Sequence, residues 1–85
     1  MKPIGQLIKE ELAAQERGVA WFSRKVHLDR SNVYRLFQKN SIDTDLLRRI
    51  SIVLGRDFFA EYSRSLSEDH PFAELPSQAA QATML

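Results

Sequence analysis

The chain has 85 residues, 44% of them hydrophobic, with 12 Lys and Arg against 11 Asp and Glu for a net charge of +1. That length allows one domain with one core, no apolar run approaches the roughly 18 residues of a membrane-spanning helix, and the absence of cysteine excludes a disulfide framework. With no apolar leader in Met1-Lys2-Pro3-Ile4-Gly5, the expectation is a cytoplasmic protein without membrane association.

Pro3 suits a first helical turn, and Ile4, Leu7, Ile8 and Leu12 follow on one helical face, which predicts a first helix over about 3–15. Gly18 interrupts the pattern. Val19, Phe22 and Val26 then recur at helical spacing in a segment of about two turns. In Leu28-Asp29-Arg30-Ser31-Asn32-Val33, Asp29 can cap a third helix, with Leu28 and Val33 as a hydrophobic staple. Its apolar residues Val33, Leu36 and Phe37 face inward and leave Arg30, Ser31, Asn32, Tyr34, Arg35 and Gln38 on or near the outer face.

The same start signal recurs at Asp43, with Ile42 and Leu47 as staple partners, and Leu46, Leu47, Ile50, Val53 and Leu54 continue as an amphipathic helix that Gly55 can terminate. Asp57 can cap a fifth helix carrying Phe58, Phe59, Tyr62 and Leu66. No segment sustains the alternation of a strand, so the expected class is all-α. The domain is expected to end near residue 66. Residues 67–85 contain Pro71, Pro76, three acids and an Ala/Gln run, and predict an acidic, flexible C-terminal tail, in which 78–85 favours a short helix that would be marginal alone.

Charge is unevenly distributed. Residues 1–65 hold all 12 Lys and Arg against 8 of the 11 acids, a net +4. Within 17–39, Arg17, Arg24, Lys25, Arg30, Arg35 and Lys39 face only Asp29, a net +5. Such a window is the electrostatic footprint expected where phosphates are approached, although a solvated surface can have the same composition.

The segment from Phe22 to Phe37 resembles the helix-turn-helix of the Cro and phage-repressor-like (XRE-type) family. The resemblance lies in Phe22 followed by the small Ser23 in the first motif helix, Val26 and Leu28 flanking the turn, and Val33 inside the second helix. It covers about residues 3–66 and implies a compact five-helix, lambda-repressor-like DNA-binding domain. Ser23 stands where the family usually has Ala, so a buried hydroxyl would have to bond back to a helix carbonyl. His27 stands where Gly is common; either it adopts a left-handed backbone or the turn differs.

The resemblance implies a small transcriptional regulator binding double-stranded DNA, with the helix over about 30–38 in the major groove. Arg30, Ser31, Asn32, Tyr34 and Arg35 are the expected base contacts, Arg30, Asn32 and Arg35 foremost, because Arg suits guanine, Asn adenine, and a Tyr ring a thymine methyl. Arg17, the backbone at Val19, Lys25, Gln38 and Lys39 are the expected phosphate contacts, with helix N-termini near Val19 and Arg30 offering free N–H groups. A homodimer is expected, since one such domain offers a small interface. Phe58, Phe59 and Tyr62 are the candidate dimer contacts, a core role being the competing explanation, and Trp21 is a further aromatic to place.

His27 and His70 are single and far apart in sequence, so neither a metal nor another cofactor is expected. With no thiol nucleophile, no Gly-rich phosphate loop and no His pair at ligand spacing, the chain is not expected to be an enzyme. The rival is a protein-interaction module, an adaptor or an antitoxin, that keeps the helical fold and meets a protein partner through its acidic tail. Burial of Arg30 or Arg35 in ion pairs would favour it.

Overall fold

A computed structural model describes residues 1–70. Five helices follow in order: α1 Ile4–Ala14, α2 Val19–Val26, α3 Arg30–Leu36, α4 Thr44–Leu54 and α5 Phe59–Asp69, with no strand among the described residues. The chain is thus an all-α, five-helix domain. No helix among these residues is long and apolar enough to cross a membrane. Residues 71–85, including most of the expected acidic tail and the short helix over 78–85, lie outside the described residues.

The core follows the sequence periodicities. Ile4, Ile8 and Leu12 of α1, Phe22 and Val26 of α2, Val33 and Leu36 of α3, and Leu47, Ile50 and Leu54 of α4 are all buried in one cluster. Leu7, Val19, Trp21, Leu28, Phe37, Ile42, Leu46 and Val53 pack around it, partly buried. Removing these side chains from water is the main favourable contribution to folding.

The starts of α3, α4 and α5 are set by aspartates. Asp29 Oδ1 accepts the Asn32 N–H at 2.8 Å and Asp43 Oδ1 accepts the Leu46 N–H at 2.9 Å, each satisfying one of the amides that a helix N-terminus leaves without a partner. Asp57 Oδ1 accepts from Phe59 at 3.0 Å and Ala60 at 3.2 Å at the start of α5. Helix ends are set by left-handed residues at Glu16, His27 and Gly55, with φ of 57°, 61° and 66°. At each, the following amide reaches five residues back: Arg17 to Leu12 at 3.1 Å, Leu28 to Ser23 at 3.0 Å and Arg56 to Ser51 at 3.0 Å. Glycine tolerates this conformation; Glu16 and His27 are held there by the chain on either side.

Two expectations change. Phe58, a candidate dimer contact, is fully buried, with the Arg56 guanidinium 5.0 Å from its ring centroid. It precedes the first turn of α5, so it anchors the helix to the core and is withdrawn from the dimer candidates. The end of α5 also moves: the helix runs past Leu66 through Ser67, Glu68 and Asp69. Those residues contain no breaker, and the stop comes at His70, whose extended φ of −140° and ψ of 102° suit a residue preceding proline.

The contacts that orient α3 join distant segments. Gly5 is buried in α1, and a Cβ there would lie 2.7 Å from the Phe37 carbonyl carbon and against the Leu36 carbonyl oxygen. The Gly5 N–H donates to the Lys39 carbonyl at 3.0 Å, so the start of α1 is docked backbone to backbone on the end of α3. On the other side, Arg49 of α4 donates from Nη1 to the Val26 carbonyl at 2.8 Å and closes the C-terminal end of α2.

Gly5→Ala is expected to destabilise the domain by about 2–3 kcal/mol, because backbone atoms cannot yield as a flexible side chain can; an unchanged urea midpoint would refute the close approach. His27→Gly is expected to stabilise it by up to about 1 kcal/mol, since glycine adopts the left-handed turn without the Cβ penalty. A lower thermal midpoint for that variant would show that the imidazole makes a compensating contact.

Candidate nucleic-acid interface

The segment expected to form a helix-turn-helix is α2, the turn His27-Leu28-Asp29, and α3. Two features of it were open in the sequence. The Ser23 hydroxyl, buried between the helices, donates to the Ala20 carbonyl at 3.1 Å, so no polar group is left without a partner there. His27 takes the left-handed backbone, and its N–H donates to the Ser23 carbonyl.

Val33 and Leu36 tie one side of α3 to the core and leave Arg30, Ser31, Asn32, Tyr34 and Arg35 exposed. At about 100° per residue, Ser31 lies near the centre of the outer face, with Arg35 about 40° from it. Arg30 and Asn32 stand about 160° apart on opposite flanks. The structure therefore brings Asn32 and Arg35 together, Arg35 Nη1 donating to Asn32 Oδ1 at 3.1 Å, while Arg30 is separate from them. Tyr34 is 55% exposed, and its ring meets Phe37 edge to face with centroids 6.2 Å apart, so it combines surface packing with an accessible phenol. Beside α3 a groove of about 280 Å³ runs between Asn32, Arg35 and Lys39 over Leu28, Leu36 and Leu46.

The two helix N-termini differ. Gly18 caps α2 with no side-chain hydrogen bond, so the first amides of α2 have no side-chain acceptor at the cap. At α3, Asp29 takes the Asn32 amide and also accepts the Ser31 hydroxyl at 2.9 Å. A carboxylate thus already occupies the α3 terminus, and the free amides expected near Arg30 are partly used. Those two hydrogen bonds, led by the Asn32 amide and assisted by the charge of Arg35, hold the Asp29 carboxyl below its ordinary value of 3.8.

Arg17, Lys25, Gln38 and Lys39, the expected phosphate contacts, are exposed. Arg17 lies over the Trp21 ring, 4.2 Å from its centroid, which places the half-buried Trp21 under a cation at the entrance to α2. The ion pairs among the described residues lie elsewhere: Lys2 with Glu10, Arg56 with Glu11 and Glu61, and Arg64 with Glu61. Among the described residues, none of the six cations between 17 and 39 has an ion-pair partner, and neither Arg30 nor Arg35 is buried.

The sequence reading did not single out Gly5 or Arg49, which fix α3 and α2 in place. A glycine inside a helical apolar pattern is a usable sign of close packing. Arg49 carried no local sign, because its partner Val26 is 23 residues away. No family model, curated protein or solved structure matches the chain.

Because the folded-state pKa of Asp29 is depressed, its contribution to stability is present above the unfolded-state value and is lost as pH falls through the folded-state one. Asparagine caps a helix equally well but does not titrate in this range. Urea midpoints at pH 7 and pH 3 are therefore expected to fall less for Asp29→Asn than for the wild-type chain; equal falls would place the cap outside the acid response.

Proposed function

We propose that the chain is a sequence-specific, duplex-DNA-binding transcriptional regulator of the Cro and phage-repressor type, with α3 in the major groove. The observation that carries the reading is that, among the described residues, Arg17, Arg24, Lys25, Arg30, Arg35 and Lys39 have no ion-pair partner, while Asp29, the one acid within 17–39, is engaged as a helix cap. Cations held apart from carboxylates are available to phosphates, and neutralising phosphates releases condensed counterions.

Arg30, Ser31, Asn32, Tyr34 and Arg35 face the base edges in this reading, while Arg17, the Val19 amide, Lys25, Gln38 and Lys39 meet the backbone. The rival interaction module gains no support from α3, since Arg30 and Arg35 are exposed and without carboxylate partners. No cofactor or catalytic group enters the reading, and its setting is the cytoplasm.

A second copy completes the assembly. Phe59 and Tyr62 are each 37% exposed, and with Leu66 they follow one stripe of α5, a helix in which no residue is fully buried. An eleven-residue helix is marginal without tertiary packing, so covering this stripe stabilises it. Two copies joined there would read half-sites about one helical turn apart, roughly 34–36 Å.

Selection from a random duplex library tests the reading and reports half-site spacing; failure to enrich any duplex at low salt would reject DNA binding. On the selected duplex, Arg35→Ala is expected to lose about 1–3 kcal/mol and relax one base position, while Lys39→Ala weakens specific and scrambled duplexes alike and lowers the salt slope by about one. Equal losses for both variants on both duplexes would remove the division between base and phosphate contacts.

A further inference from the structure

We infer that Asn32 is a positioning residue for Arg35, not a reader of adenine, so that the pair acts as a single guanine-directed unit. The inference rests on the DNA-binding reading and changes the role given to one of its residues.

Recognition of adenine by asparagine needs the carboxamide to accept from N6 and donate to N7 in one plane. In this chain the acceptor oxygen, Oδ1, faces Arg35 Nη1 at 3.1 Å. The residues are three apart on α3, the spacing at which helix side chains are neighbours. Asn32 is also about 100° around the helix from the centre of the outer face, on the side of the groove floored by Leu28, Leu36 and Leu46. Arg35 lies nearer that centre.

The hydrogen bonds form a sequence. Asp29 Oδ1 accepts the Asn32 backbone N–H at 2.8 Å and fixes the start of the helix. Asn32 Oδ1 then accepts from Arg35, and the negative charge of Asp29 attracts the same guanidinium. Ser31 turns its hydroxyl proton to Asp29 at 2.9 Å. The two short polar side chains at the start of α3 are thus engaged within the helix. Arginine has five N–H donors, so the Asn32 contact leaves enough for a fork on guanine O6 and N7. A guanidinium already held in one orientation loses less freedom when it makes that fork.

The test uses the full chain on its selected duplex and on each single-base variant of that duplex, at fixed salt. Arg35→Ala is expected to reduce discrimination at one G·C pair by about 10- to 100-fold. Asn32→Ala should weaken discrimination at that same pair and at no other, and add little in the double variant. Asn32→Asp keeps an acceptor beside Arg35, and should retain the G·C preference while lowering affinity for every duplex. Loss of preference at a different, A·T pair in Asn32→Ala, additive with Arg35→Ala, would overturn the inference and leave the DNA reading intact. If no duplex is selected by the wild-type chain, both fall. Each variant's thermal midpoint is recorded alongside, and a midpoint near wild type is expected because both side chains are exposed.

Discussion

A seven-residue helix cannot persist in water unaided, because two turns contain too few hydrogen bonds to offset the ordering of their backbone. α3 exists only because it is held on three sides. Asp29 closes its first turn, Val33 and Leu36 fasten its inner face to the core, and the carbonyls at its far end lie directly on Gly5 of α1. The outer residues inherit their positions from these contacts. Any shift of α1 against α3 would move Arg35 and Lys39 together, and the turn at His27 sets how α3 leaves α2.

The charges are partitioned in a way that links stability to the proposed activity. Arg56 draws α1 and α5 together through Glu11 at 2.8 Å and Glu61 at 2.6 Å, and Arg64 adds a second cation at Glu61. Glu11 and Glu61 are held below the ordinary carboxylate range, Glu11 chiefly by Gln15 and then by Arg56, Glu61 chiefly by Arg56. Partly exposed ion pairs of this kind contribute modestly one by one, but no residue of α5 itself is fully buried. The opposite balance holds over residues 17–39, where six cations have no ion-pair partner among the described residues. Their mutual repulsion is a standing cost to the free protein that a polyanion would relieve.

The grip on α5 also explains why Phe58 and Phe59, adjacent in sequence, have different fates. Phe58 precedes the helix and enters the core, while Phe59 begins the helix and remains 37% exposed with Tyr62. An aromatic cluster in the sequence therefore divides into an anchor and a surface stripe at the first turn of the helix. The stripe is the part that the proposed dimer would cover.

The number of helices, their approximate limits and most of the core were determined by the sequence alone, because aspartate caps, glycine stops and apolar spacing act within a few residues. Asp29, Asp43 and Gly55 perform the roles their types imply, and the basic excess of 17–39 was visible without coordinates. The tertiary structure decided what depends on residues far apart in the chain. It placed Gly5 under the end of α3, set Arg49 on the end of α2, put Phe58 inside, and continued α5 to Asp69. Within α3, helical geometry alone separates Arg30 from Asn32, and the direction of the two side chains joins Asn32 to Arg35. Sequence spacing shows which residues lie on the surface of a helix, but the direction of a side chain and the partner it meets are set by the neighbouring elements.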